Sequence, residues 1–406
     1  MPKIIVRSPS DAEVDIAAEI AAKAFPNLML DHWLESFRST AEMFGNRYIL
    51  MAELDGELVS SLVCSSAPVY VNGTPIPHSG VGAIGTIPEK RRSGCAGAMM
   101  AECVRVLRDE GIWLSSLWPF SYAYYRKSGW EVGAQVRSYR GEGKFFAEQG
   151  DPGKARKGVP EDAQQIKLAF AEFAPCFNGL TERYDEWWER IVLLPRYLGT
   201  DFPTHGAVVR EDEQGIASYM LYGIDAKEDG TEIEVKESVF SENQHRRDLL
   251  ALIGSEHPNV TIAFFAPEND LFMHELPNPH GFQTEMRPSF QFRITDPERA
   301  MEALPVEEDV EGRITLSIHD PVFEAGFEFG VEADGSGELS ICKPQPGRAL
   351  EMDVMTLAKL YTGYLQPFDA LALGRLKVRG DDLTDVLTAT QMFSCQPPYR
   401  TWLEPG

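Results

Sequence analysis

The 406-residue sequence contains no Cys-x-x-Cys pair and no His-x-x-x-His pair. Its six cysteines, Cys64, Cys95, Cys103, Cys176, Cys342 and Cys395, are scattered, as are its eight histidines. Structural zinc sites and dense disulfide frameworks need closer spacing, so neither is expected, nor is any other metal. No apolar run is long enough to span a bilayer, and Met1-Pro2-Lys3 does not open a signal peptide. A cytoplasmic chain with no membrane partner is expected. Positive charge is also scarce: 38 Lys and Arg against 62 Asp and Glu leave a net charge of −24. Such a surface repels a phosphate backbone, which argues against nucleic acid, and it attracts a cationic substrate. An acidic surface also serves solubility alone, so charge admits a polyamine-like acceptor without establishing one.

The chain has 43 % hydrophobic and 10 % aromatic residues, as a folded protein does, and its length predicts two or three domains. Residues 81–100 read as a strand, a Pro-containing turn, a basic loop with glycine, and a helix. Apolar residues Met99, Met100, Cys103, Val104 and Leu107 recur at helical spacing. The loop therefore sits at a helix N-terminus, where unpaired backbone N–H groups and the helix dipole favour an anion. Arg91 and Arg92 add full charges, and Gly94, Ala96 and Gly97 let a ligand approach the backbone. These features suit a phosphate or pyrophosphate.

The pattern Arg91-x-x-Gly94-x-Ala96 resembles the acetyl-CoA loop of the GNAT acetyltransferases. The resemblance implies cofactor contacts along Arg91, Arg92, Ser93, Gly94, Cys95, Ala96 and Gly97. It also implies a splayed strand whose free backbone groups at Ile84 and Thr86 bind pantetheine. The segment Leu117-Trp118-Pro119-Phe120-Ser121-Tyr122-Ala123-Tyr124-Tyr125-Arg126-Lys127-Ser128-Gly129-Trp130 resembles the closing segment of the same fold. It implies Tyr125 as the general acid that reprotonates the CoA thiolate. A phenol is protonated at neutral pH and can serve in that way. Tyr122 and Tyr124 read as sheet packing or pocket wall.

In order along the chain, residues 3–7 read as a strand, 12–25 and 30–44 as helices, and 47–54 and 58–70 as strands about the turn Asp55-Gly56-Glu57. Residues 141–160, rich in Gly, Lys, Glu and Pro, read as a linker. A helix over 160–173, strands near 207–210, 217–223 and 233–240, a helix over 246–255 and a strand over 260–266 then repeat the first layout. No acetyl-CoA loop precedes that second helix; Asn243-Gln244-His245-Arg246-Arg247 stands there. A third block begins with a strand at 290–294. Strands at 313–319, 325–332 and 338–343 and helices at 350–363, 371–376 and 383–392 follow, and this block resembles a sterol-carrier-like domain.

The expected fold class is α+β: a catalytic GNAT domain (1–145), a second GNAT-like domain without the loop (146–286) and a sterol-carrier-like domain (287–406). This layout, with Gly179…Arg183…Trp187-Trp188, Ile318-His319-Asp320-Pro321 and Leu357-Ala358-Lys359-Leu360-Tyr361-Thr362-Gly363, is similar to the enhanced intracellular survival (Eis) acetyltransferase family. The resemblance implies acetyl transfer from acetyl-CoA to amines, of aminoglycosides in some members and of lysine side chains in others, and assembly as a hexamer. It places Phe25, Asp31, Trp33 and Phe37 at the border of the amine pocket, where helix core with one solvated Asp is an equal reading. Trp187 is either core or the wall of a substrate cleft. The family's base is its C-terminal carboxylate, here that of Gly406. The ending Trp402-Leu403-Glu404-Pro405-Gly406 departs from the family's aromatic terminus, so Glu404 is an alternative base and a frayed tail a third outcome. Two further functions stay open: a protein-lysine or other amine acetyltransferase, and a lipid or acyl-CoA binding protein with an idle GNAT domain.

Overall fold

The computed structural model describes residues 3–199, 203–227, 230–276, 279–380, 383–393 and 396–404. Strands β1 (Ile4–Arg7), β2 (Ile49–Leu54) and β3 (Glu57–Ser66) form an antiparallel run. Asp55 and Gly56, both at positive φ, make the tight turn that the Asp-Gly pair predicts between β2 and β3. A hairpin of β4 (Val69–Val71) and β5 (Thr74–Ile76) leads into β6 (His78–Thr86), followed by β7 (Leu114–Leu117) and β8 (Glu131–Val132). Helices α1 (Val14–Ala24) and α2 (Leu30–Phe44) precede β2, α3 (Cys95–Asp109) joins β6 to β7, and α4 (Tyr122–Arg126) joins β7 to β8. The buried face of α3 is Cys95, Met99, Met100, Cys103, Val104 and Leu107, and it packs with Leu50, Val59 and Leu62 of the sheet.

Strand β9 (Gln135–Glu142) leaves this sheet and joins a second one, with β10 (Ala155–Lys157), β11 (His205–Asp212), β12 (Gly215–Lys227), β13 (Gly230–Val239), β14 (Thr261–Pro267) and β15 (Phe282–Pro288). The strand expected to open the third block, β16 (Gln291–Ile294), returns to the first sheet and lies between β7 and β8. All four of its residues are buried, as a central strand requires. The two GNAT-like sheets are thereby stitched together by two crossing strands. The expected linker at 141–160 instead carries the end of β9, a helix at Gly143–Ala147 and the edge strand β10. A third sheet, in the order β19-β18-β17-β20-β21, comprises β17 (Glu311–His319), β18 (Phe327–Asp334), β19 (Leu339–Cys342), β20 (Ala349–Asp353) and β21 (Leu376–Arg379). Part of the stretch expected as helix at 371–376 is turn and strand; the helix there is Pro367–Ala372, with Pro at its first turn.

The second sheet repeats the first in its defining irregularity. Strands β6 and β7 pair in parallel only from His78 to Gly80, and β13 and β14 only from Glu232 to Glu234; beyond these points each pair diverges. In the second sheet the gap is filled. Phe240, Arg246, Phe265 and Tyr399 converge on it and leave no room for a ligand, and the Tyr399 hydroxyl donates to the Phe265 carbonyl at 3.1 Å.

Candidate active site

In the first sheet the gap stays open. It forms a cleft of about 760 Å³ lined by Ala24, Phe25, Ile84, Gly85, Thr86, the loop from Arg91 to Gly97, Phe120, Tyr124 and Lys127. Ile87 N–H bonds to the Val59 carbonyl on β3, and Gly85 pairs with Ser61. Alternation along the strand then turns the backbone groups of Ile84 and Thr86 to the opposite edge, which faces the cleft. A bulge at Ala83, whose φ is +53°, bends β6 at the point of departure. Gly85 is required by contact: a Cβ there would sit 2.6 Å from Ala24 Cβ and 3.0 Å from Phe25.

Gly94 caps α3 with φ +93°, a conformation that favours glycine, and so aims the first N–H groups of the helix into the cleft. Arg91 reaches across to the Ala24 carbonyl at 3.1 Å. Among the described residues the buried Ser93 and Tyr124 hydroxyls have no hydrogen-bond partner, and both residues line the cleft. Buried hydroxyls, helix N–H groups and cationic side chains together fit the pyrophosphate and pantetheine of acetyl-CoA. Phe120 and Lys127 belong to the segment that carries Tyr125, but local pattern gives no sign that they face the cleft. Lys127 brings a third cation to it.

Tyr125 is 3 % exposed. Its ring meets Phe120 at 5.3 Å and Tyr124 at 5.1 Å, both edge-on. Burial first, and then the neighbouring Tyr124, push its pKa well above the ordinary phenol value. Tyr124 forms pocket wall, and Tyr122 donates to the Ser289 carbonyl at 3.1 Å.

The residues expected at the amine pocket divide. Phe25 lines the cleft and stacks obliquely on Trp33 at 5.4 Å; Asp31 is exposed in the first turn of α2. Trp33 is buried behind Phe25. Phe37 and Trp187 have no exposed surface. Phe37 packs against α1 and β2, and Trp187 lies in the core of the second unit, so a ligand has no face of either to touch. Their apolar spacing on helices is core spacing.

Residues 399–404 are anchored rather than frayed. Tyr399 N–H donates to Asn178, Arg400 to the Gly179 carbonyl at 2.9 Å, and Thr401 to Glu237 at 3.1 Å. Trp402 packs on Trp118 at 4.3 Å and on Phe265 at 5.1 Å, beside the segment that leads to Tyr125. Glu404 does not fit the role of base. Its side chain has no exposed surface, pairs with Arg183 at 2.6 Å and accepts from the Thr181 N–H at 3.0 Å and from the Thr181 hydroxyl. A carboxylate so occupied has no approach for a substrate proton. Gly406 lies outside the described residues.

Among the described residues no cluster of three His, Cys, Asp or Glu side chains is placed to hold a metal ion, and no helix is long and apolar enough to cross a membrane. The five described cysteines carry free thiols.

Residues 5–133 and 179–294 match acetyltransferase (GNAT) domain families, and residues 297–401 match the sterol carrier protein domain family. A protein of Streptomyces avermitilis described as an uncharacterized N-acetyltransferase is 24 % identical over 353 residues, covering 80 % of this chain and 81 % of that one. The fold is similar to that of a GCN5-related N-acetyltransferase from Anabaena variabilis, with a TM-score of 0.83, 19 % identity and 98 % of each chain covered. It is also similar to Eis1 from Mycobacterium abscessus, with a TM-score of 0.75 and 18 % identity over 98 % of this chain and 99 % of that one. The chain is a GNAT N-acetyltransferase, with two acetyltransferase domains followed by a C-terminal sterol carrier protein domain.

Proposed function

We propose that the first domain (residues 1–145) acetylates the primary amine of a small polycation such as an aminoglycoside, with Tyr125 as general acid. The second domain (146–286) and the sterol carrier protein domain (287–406) support it. The observation that carries the reading is the open cleft beside the diverging end of β6, lined by Ile84, Thr86 and the Arg91–Gly97 loop, with Tyr124 of the Tyr125 helix in its wall. Acetyl-CoA, when bound, supplies an acetyl group activated as a thioester. Arg91, Arg92, Lys127 and the first amides of α3 would hold its pyrophosphate. The edge of β6 at Ile84 and Thr86 would receive its pantetheine arm and polarise the carbonyl. Tyr125 holds a proton for the sulfur that leaves. In balance, a C–N bond forms, the C–S bond breaks, one N–H proton leaves the amine and one reaches sulfur. The base is the C-terminal carboxylate of Gly406 or water. The acidic surface favours a cationic acceptor over an anionic one.

A lipid carrier is the weaker reading. The cleft on the third sheet, about 510 Å³, is lined largely by polar and charged side chains such as His319, Glu328, Asp353 and Lys377. The domain's interior is packed with Leu316, Leu350, Leu357, Val386 and their neighbours. The deciding experiment follows CoA thiol release from acetyl-CoA against aminoglycosides, spermidine and a lysine peptide. Release with aminoglycosides supports the reading; release with the peptide alone replaces the acceptor with a protein lysine. No release with any amine, together with binding of a fluorescent fatty acyl probe, would favour the carrier.

A further inference from the structure

The segment that carries Tyr125 is held from outside its own domain. Glu131, on β8 five residues beyond Arg126, is 1 % exposed. It accepts from Arg126 at 2.7 Å, at the C-terminal end of the Tyr125 helix. On its other side stand two cations of the sterol carrier protein domain, Arg375 at 3.5 Å and Lys359 at 3.8 Å. One buried carboxylate thus joins the Tyr125 helix to the third domain.

A second centre grips the same segment one turn on. Arg293 Nη2 of β16 donates to both carboxylate oxygens of Asp320 of the third domain, at 2.7 and 2.8 Å, with neither side chain exposed. Arg293 also donates to the Ser128 carbonyl at 3.0 Å. Ser128 N–H and Trp130 N–H both donate to the Tyr125 carbonyl. Gly129, at φ +88°, lets Arg293 lie against the backbone: a Cβ there would sit 2.6 Å from Arg293 Nε and 3.0 Å from Val354 of the third domain. The contacts from Arg293, Asp320 and Val354 come from beyond residue 145 and add to the first domain's own packing around Tyr125 and Trp130.

We propose that the sterol carrier protein domain is a positioning element for acetyl transfer, setting the Tyr125 segment through Glu131 with Lys359 and Arg375 and through the Arg293–Asp320 pair. This rests on Tyr125 being the general acid. A domain with a packed apolar interior and a polar cleft then has a role in the reaction without carrying a lipid. Positioning matters because proton delivery needs the donor within hydrogen-bond reach of the sulfur, and a small misplacement is costly.

The test is a double-mutant cycle on the full chain. Glu131→Gln, and separately Arg375→Met, whose side chain is 36 % exposed and so spares the fold, are made in wild type and in Tyr125→Phe. The readouts are kcat, KM for acetyl-CoA and calorimetric acetyl-CoA binding. The expected result is about a tenfold fall in kcat in wild type, KM and binding within twofold, and no further fall in Tyr125→Phe. The same fold loss in both backgrounds, or no loss in wild type while Tyr125→Phe is slow, overturns the positioning role alone. A fully active Tyr125→Phe overturns the general-acid reading and the positioning role with it.

Discussion

At the scale of single residues, burial decides which polar groups do chemistry. Tyr125 is buried, and its hydroxyl holds its proton more tightly than a free phenol does. Its acid form therefore persists above pH 10, and activity should climb as the acceptor amine deprotonates, with no alkaline fall below about pH 10. A pH–rate profile checks this. Tyr125→Phe should lower kcat by about 10²-fold or more with acetyl-CoA binding retained, the usual scale of a general acid. Glu404 is a buried partner of Arg183, a guanidinium that also binds Glu237 and lies 3.7 Å from the Phe170 ring centre. Glu404→Gln should cost about 1.5–3 kcal/mol in a denaturant melt, the scale of a hydrogen bond to a charged group. The pH–rate profile should keep its shape; loss of its acidic limb would restore Glu404 as base.

At the scale of elements, the β6–loop–α3 unit does the recognition. The cleft of an acidic protein concentrates three cations, Arg91 and Arg92 just ahead of α3 and Lys127 from the segment after Tyr125. Replacing Arg91 and Arg92 together by Ala should raise the acetyl-CoA Kd by about tenfold or more, since charge-assisted bonds contribute about 1.5–3 kcal/mol each. Calorimetric titration measures this, with Tm little changed because both side chains line the open cleft. This unit was legible in the sequence because everything that shapes it is local: helical spacing after Gly94, two arginines before it, a strand ahead. Phe37 and Trp187 were ambiguous because an aromatic on an amphipathic helix carries the same pattern whether it faces core or ligand. The exchange of β9 and β16 was not legible, since a strand's own residues record its burial but not which neighbour supplies the hydrogen bonds. The ion pairs of Glu131 with Arg375 and of Asp320 with Arg293 are likewise invisible, because Arg375 lies 244 residues beyond Glu131 and Arg293 reaches Asp320 from a strand of another sheet.

At the scale of the molecule, the three units share parts. A fragment of residues 1–145 should fail to fold, because it lacks the strand between β7 and β8 and keeps β9 without its neighbours. The full chain should give one cooperative unfolding transition. Far-UV circular dichroism of the fragment checks the first expectation, and calorimetry of the full chain the second. Strand exchange also has a consequence in time. During synthesis the ribosome delivers β7 and β8 long before Gln291–Ile294, so the first sheet stays incomplete while the second is made. At roughly 5–20 residues per second this delay is on the order of ten seconds, during which the edges of β7 and β8 are exposed to mispairing. The nascent chain is thus a natural client for a chaperone, and slow translation across the second unit should lower the yield of soluble protein.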